Sequence, residues 1–128
     1  FKTQKPSVFE QKYVSYYQNF DPQLLIKALK TFEGKHDFNF FHKTGTVTHT
    51  TVREIYRTDY VERNGYHYIY FQANGFLRSQ VRMMVDAAML CAKGDLSIIE
   101  LQEQLNCQKK HTTKLAPPEG LYLAKIIY

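Results

Sequence analysis

Apolar residues recur at helical spacing in three stretches, and β-branched or aromatic residues crowd together in others. Leu24, Leu25, Ala28, Leu29 and Phe32 predict a first helix. Asp21-Pro22 starts it, with Asp as N-cap and Pro at the first helical position, and Gly34 is placed to end it. Residues 50–62 alternate only partly and read as a strand. Asn64-Gly65 is the preferred dipeptide of a tight type I′ turn, and residues 66–73 return as the partner strand. Leu77, Val81, Met84, Val85, Ala88, Met89 and Ala92 then predict a long helix over about 77–93, stopped by Gly94. Ser97 followed by Glu100 is a capping box that opens a shorter helix carrying Leu101 and Leu105. After the Pro117-Pro118 pair, residues 121–128 read as a final strand.

This order is helix, strand, strand, helix, short helix, strand. One further strand before Asp21 would make it the split βαββαβ unit, an α+β ferredoxin-like antiparallel sheet with helices on one face. Residues 11–17 could supply that strand, or it lies upstream of Phe1. The sheet's second face would then be free to bind something.

The 128 residues fit a single domain, and 44% hydrophobic against 23% charged residues is a globular balance. Seventeen Lys and Arg against twelve Asp and Glu give +5, a mild surplus that favours a polyanionic partner. The purely apolar runs are too short for a membrane-spanning helix. Cys91 and Cys107 stand sixteen apart, in neither a metal-ligand nor a redox spacing, which points to a reducing compartment. The chain opens at Phe1 without Met or a signal-peptide pattern, as a piece of a longer protein would.

Several chemistries find no motif. There is no phosphate-cradling loop, no dinucleotide fingerprint and no exposed-serine elbow. The five histidines lack ligand spacing and no cysteine pair helps them, so a zinc site is not expected. The stretch Gly75-Phe76-Leu77-Arg78-Ser79-Gln80-Val81-Arg82 is the most unusual. Arg78 and Arg82 are four apart, so on a helix they share a face. At a helix N-terminus their positive charge is unfavourable, and a carboxylate or a phosphate would relieve it; the alternative is that both point into water. Tyr66, Tyr68 and Tyr70 with His67 and Phe71 either stack on bases or pack against the sheet. Met83, Met84 and Met89 read as core.

Five landmarks in order carry a resemblance to one family. They are Gly34-Lys35-His36-Asp37-Phe38, Thr51-Val52-Arg53-Glu54-Ile55, Asn74-Gly75-Phe76-Leu77, Val81-Arg82-Met83-Met84-Val85 and Pro117-Pro118-Glu119-Gly120-Leu121-Tyr122-Leu123. On these the chain resembles the C-terminal domain of bacterial tRNA pseudouridine synthases of the TruA family. Gln80 departs from that pattern, where Met is common, and so does Asp86, where glycine is frequent.

The resemblance implies an isomerase that converts uridine to pseudouridine in the anticodon stem-loop of tRNA, without cofactor or metal. Its nucleophilic aspartate belongs to the N-terminal half, so this chain alone is expected to be inactive, with no catalytic nucleophile of its own. Arg82 corresponds to the arginine that pairs with that aspartate. A guanidinium beside a carboxylate lowers its pKa and offers a two-pronged hydrogen bond. Leu121 corresponds to the apolar residue near the target base, with Phe76 and Val81 supporting the same wall. Arg53, Arg78 and Lys43 are candidates for the tRNA backbone, chosen on charge. Arg57-Thr58-Asp59 repeats three letters of the family's catalytic motif but continues Tyr60-Val61-Glu62 inside a strand, so Asp59 reads as a coincidence. The expected partners are tRNA, the N-terminal half and a second copy in a homodimer, in the cytoplasm and away from membranes. Two other classes remain open, a stand-alone RNA-binding module and a protein-interaction domain.

Overall fold

The computed structural model describes residues 19–43, 50–116 and 118. Helix α1 spans Pro22–Thr31, and the Asp21 carboxylate caps it by accepting from the Gln23 N–H at 2.9 Å. Asp21 also donates its own N–H to the Ala92 carbonyl at 2.8 Å, so the start of α1 is fastened to another helix. Strand β1 follows at Gly34–Asp37, then a single 3-10 turn at Asn39–Phe41. Strands β2 (Val52–Arg63) and β3 (Tyr66–Ala73) form the hairpin, and helices α2 (Gln80–Lys93) and α3 (Ile98–Leu105) complete the order.

The three strands make an antiparallel sheet in the order β1-β2-β3. This is the α+β, ferredoxin-like arrangement that the element order implied. Its hairpin turns at Asn64 (φ 54°) and Gly65 (φ 78°), two successive positive-φ residues as a type I′ turn requires. Partial alternation in β2 has a local cause. Ile55 pairs with Ala73 and Arg57 with Gln72, so Tyr56 is an extra residue in a bulge. Ile55 and Thr58, three apart, therefore both face inward and are buried.

Strand β1 was not among the predicted elements. Gly34, expected only as a helix stop, has φ 106° and opens β1 two residues beyond the Phe32 cap. Four residues without an apolar side chain carry no periodicity, and their extended form comes from pairing with β2. The possible strand at 11–17 and the final strand at 121–128 lie outside the described residues.

The core sits between the sheet and the helices. Leu25, Ala28, Leu29 and Phe32 of α1 meet Met84, Ala88 and Met89 of α2, with Leu101 and Leu105 of α3 closing the end. Phe38 and Phe41 are fully buried, and Phe32 and Phe41 pack edge to face at 5.3 Å. On β3 the inward residues are His67, Ile69, Phe71 and Ala73, while Tyr68 and Tyr70 are exposed and stacked at 6.3 Å. Met83, Met84 and Met89 are core, as expected. Helix α2 is more deeply enclosed than a one-sided stripe. Gln80, Met83, Ala87 and Cys91 are buried beside the predicted apolar positions, and Val81 and Val85 are half-buried.

Candidate functional site

Four of the five landmark segments converge at one end of the sheet. Gly34–Asp37 pairs residue for residue with the N-terminal end of β2, His36 opposite Arg53 and Asp37 opposite Val52. Asn74 extends the ladder past the end of β3. Its N–H donates to the Glu54 carbonyl at 3.1 Å, and its Oδ1 accepts from the Glu54 N–H at 3.0 Å. The chain then turns through Gly75 and Phe76 into α2, which carries the fourth segment.

The turn into α2 is built by a residue that sequence reasoning noted only as a departure. Gln80 is fully buried, and its Oε1 accepts the Leu77 N–H at 2.8 Å while its own N–H donates to the Leu77 carbonyl at 3.1 Å. Its amide nitrogen lies 3.9 Å from the Met84 sulfur, a weak contact. Ser79 takes a left-handed φ of 62°. The path is therefore not helical at Leu77 and Arg78, and α2 starts at Gln80 rather than at 77. Arg78 and Arg82 consequently do not share a helix face: Arg78 is exposed in the turn, and Arg82 stands on the first turn of the helix.

Arg82 is half-buried and held from both directions by one residue. Its Nε donates to the Ala116 carbonyl at 2.8 Å, and the Ala116 N–H donates to the Arg82 carbonyl at 3.0 Å. Among the described residues no other partner of the guanidinium is found, and neither Nη group is engaged there. No acidic side chain lies in the first turn of α2. A fork with a fixed root and unengaged prongs suits a carboxylate or a phosphate.

The basic residues singled out by charge are partly brought together. The Lys43 N–H donates to the Arg78 carbonyl at 3.0 Å, placing two exposed cations side by side. Arg53 turns its Nη1 onto the carbonyls of Thr50 and Val52, both at 2.8 Å, and its Nε lies 3.7 Å from where a Gly75 β-carbon would sit. Phe76 and Val81 are half-buried against the core. Leu121 lies outside the described residues.

The Arg57-Thr58-Asp59 triplet has structural work of its own. Thr58 is fully buried, and Asp59 pairs with Arg57 at 2.6 Å within β2. Neither cysteine is bonded to another. Burial pushes the Cys91 thiol up to about 11, and burial together with Asp37 raises that of Cys107. No group of three or more His, Cys, Asp or Glu that could hold a metal ion is found among the described residues. Among them, too, no helix is long and apolar enough to cross a membrane.

Sequence reasoning missed the buried amides. Gln104, fully buried on α3, accepts the His111 and Thr112 N–H groups at 2.8 and 2.9 Å and donates to the carbonyls of Phe40 and Thr112 at 3.0 and 3.1 Å. Its signal was present: it lies on the same helical face as Leu101 and Leu105, where a polar residue must find internal partners.

An α+β antiparallel domain with a poised arginine at the sheet's end is the class these features define. Residues 28–128 match the family model described as tRNA pseudouridine synthase. The chain belongs to that family. It is similar to tRNA pseudouridine synthase A of Helicobacter hepaticus, at 43% identity over 97% of this chain and 50% of the relative. The corresponding proteins of Wolinella succinogenes and Campylobacter jejuni are 37% and 39% identical, each over 95% of this chain and 48% and 51% of the relative. The chain thus spans about half the length of the curated relatives it matches, and corresponds to their C-terminal part.

Proposed function

We propose that this chain supplies the arginine-bearing wall of the active-site cleft of a tRNA pseudouridine synthase, which isomerises uridine in the anticodon stem-loop. The observation that carries this reading is the geometry of Arg82: Nε anchored on Ala116, the two Nη groups unengaged among the described residues. The nucleophilic aspartate comes from the N-terminal half, and Arg82 meets it. The guanidinium keeps that carboxylate ionised and turned toward the nucleoside. The uridine must leave the helical stack to reach the cleft. Phe76, Val81 and Leu121 form the apolar surface near the extruded base, and Lys43, Arg78 and Arg53 hold the phosphate backbone. The reaction is an internal rearrangement and needs neither metal nor cofactor. The working protein is a cytoplasmic homodimer with tRNA as its partner.

The test measures pseudouridine formed in an unmodified tRNA transcript by the full-length synthase. Arg82→Ala is expected to lose at least a hundredfold in kcat, and this chain alone to form no product. Arg82→Lys, which keeps the charge but not the fork, should recover only a small part. An Arg82→Ala enzyme with normal turnover would overturn the assignment. RNA binding by this chain with normal affinity, together with a full-length protein that makes no pseudouridine, would point instead to a stand-alone binding module.

A further inference from the structure

The segment that receives Arg82 is itself tied down, one turn further along α2. Thr112 is buried, and its hydroxyl donates to Oδ2 of Asp86 at 3.1 Å. Asp86 and Arg82 are four apart on α2 and so stand on one flank of the helix. The residues from Thr112 to Ala116 therefore run along that flank, attached at Asp86 at one end and at Arg82 at the other. Gln104 holds the first of these points a second time through the N–H and carbonyl of Thr112.

Chain length alone would not place Ala116. Four residues at full extension reach about 13 Å, whereas the four helical residues from Arg82 to Asp86 rise only about 6 Å. The segment has slack, so its far end is located by its attachments and by Leu115, which packs against the core. The guanidinium is planar, and its Nε–H points at the Ala116 carbonyl. Wherever that carbonyl sits, the direction of the two Nη prongs follows.

We propose that Asp86 and Thr112 form a positioning pair that sets the aim of the Arg82 guanidinium by fixing the segment that carries Ala116. The inference rests on the catalytic reading of Arg82 given above. Asp86 is one of the two departures from the family pattern noted in the sequence. A glycine there could make no such tie, so this device belongs to the present chain and to relatives that share the pair. Neither residue touches substrate; both act through Arg82.

The experiment uses the full-length synthase and an unmodified tRNA transcript, with kcat and KM measured separately. Thr112→Val keeps the shape and removes the donor, and Thr112→Ser keeps the donor. Misaiming a reacting group by about an ångström can cost up to a hundredfold in rate. Thr112→Val is expected to lower kcat about tenfold with KM within twofold of wild type, and Thr112→Ser to restore it. Ser97→Ala, which weakens the cap of α3 without touching this tie, shows what lost stability alone does and should leave kcat in place. Asp86→Ala breaks the same bond from the helix side and should match Thr112→Val; it serves as the test should Thr112→Val not fold. Normal kcat in both broken-tie variants, with Arg82→Ala inactive, would overturn the positioning pair and leave the functional reading intact. Normal kcat in Arg82→Ala would overturn both.

Discussion

Glu33 closes the edge of β2 at Thr58. Its carboxylate accepts the Thr58 N–H at 2.7 Å and the Thr58 hydroxyl at 3.0 Å, while Lys30 donates to the Thr58 carbonyl and to Glu33 itself. Strand β1 pairs with β2 only as far as Ile55, and beyond that point, among the described residues, this edge is met by the end of α1. Two side chains thus complete a ladder position that would otherwise leave buried polar groups without partners.

Burial raises the Glu33 pKa, but the bonds from Thr58 and Lys30 outweigh it and hold the carboxyl below the usual glutamate range. The unfolded chain therefore takes up this proton first as the solution is acidified. The stabilisation is complete above about pH 4.5 and is lost as pH falls from there through the folded value. Glu33→Ala should cost about 1–3 kcal/mol at pH 7, the penalty for leaving buried donors unpaired. Urea unfolding at pH 7 and pH 3.5 checks it: wild type should lose more stability between the two than Glu33→Ala does. Equal losses would show that Glu33 gains nothing from its ionised state.

The opposite end of the hairpin carries a buried histidine. His67 is buried, its Nδ1 lies 2.7 Å from the Tyr60 hydroxyl, and Phe20 stands edge-on to both rings. Burial lowers the His67 pKa, against an opposing pull from Glu62, so the folded state holds the ring neutral. Stability is then present above about pH 6.5 and declines as pH drops toward the folded value. A urea midpoint that falls between pH 7.5 and 5.5 in wild type, and falls less in His67→Phe, is the expected result. A midpoint that rises on acidification would mean the protonated ring is the form favoured by the fold.

The contrast between these features and the predicted ones shows what a sequence can display. Asp21-Pro22, Asn64-Gly65, Gly94 and the Ser97/Glu100 box are local signals, and each does its predicted job. Arg82 stands out in the sequence because a positive charge at a helix start is locally costly. Strand β1 was not, since its form comes from a partner more than a dozen residues away. The start of α2 was misplaced because Gln80 looks like an ordinary helical residue until its amide is seen holding Leu77. The same holds for Glu33, whose partner Thr58 lies 25 residues downstream.

Gln104 satisfies all its polar atoms with backbone groups on two segments, around Phe40 and at 111–112. Gln104→Leu fills the same space but strands two N–H groups and removes the donor from two carbonyls. At about 1–3 kcal/mol per buried group left unpaired, the loss should be several kcal/mol, among the larger single-residue effects in this chain. Thermal unfolding of Gln104→Leu beside Leu101→Ala would rank the two. A Gln104→Leu protein as stable as wild type would mean that water replaces the amide.

Asp59 offers a check on the identity of the nucleophile. It sits within β2 and is paired with Arg57, an arrangement that a reacting carboxylate would have to leave. Asp59→Asn in the full-length synthase should keep kcat within about twofold, because an exposed ion pair contributes at most about 1 kcal/mol. A loss of a hundredfold or more would move the nucleophile into this chain.

Lys43 and Arg78 are joined through main-chain atoms, the Lys43 N–H on the Arg78 carbonyl, so either side chain can be removed without breaking the link. Arg53 differs: its guanidinium holds the carbonyls of Thr50 and Val52, and truncating it also loosens the strand entry. Lys43→Ala set beside Arg53→Ala therefore separates electrostatics from structure. Every phosphate that a cation no longer neutralises lowers the slope of log affinity against log salt by about 0.7–0.9. Lys43→Ala and Arg78→Ala should each reduce that slope by this amount, with the same fractional loss on every tRNA tested, and Lys43→Ala should leave thermal stability unchanged. Arg53→Ala should lower both the slope and the unfolding temperature. If the Lys43 and Arg78 variants bind with the wild-type slope, the tRNA backbone does not cross this corner, and the path must run along another face of the domain.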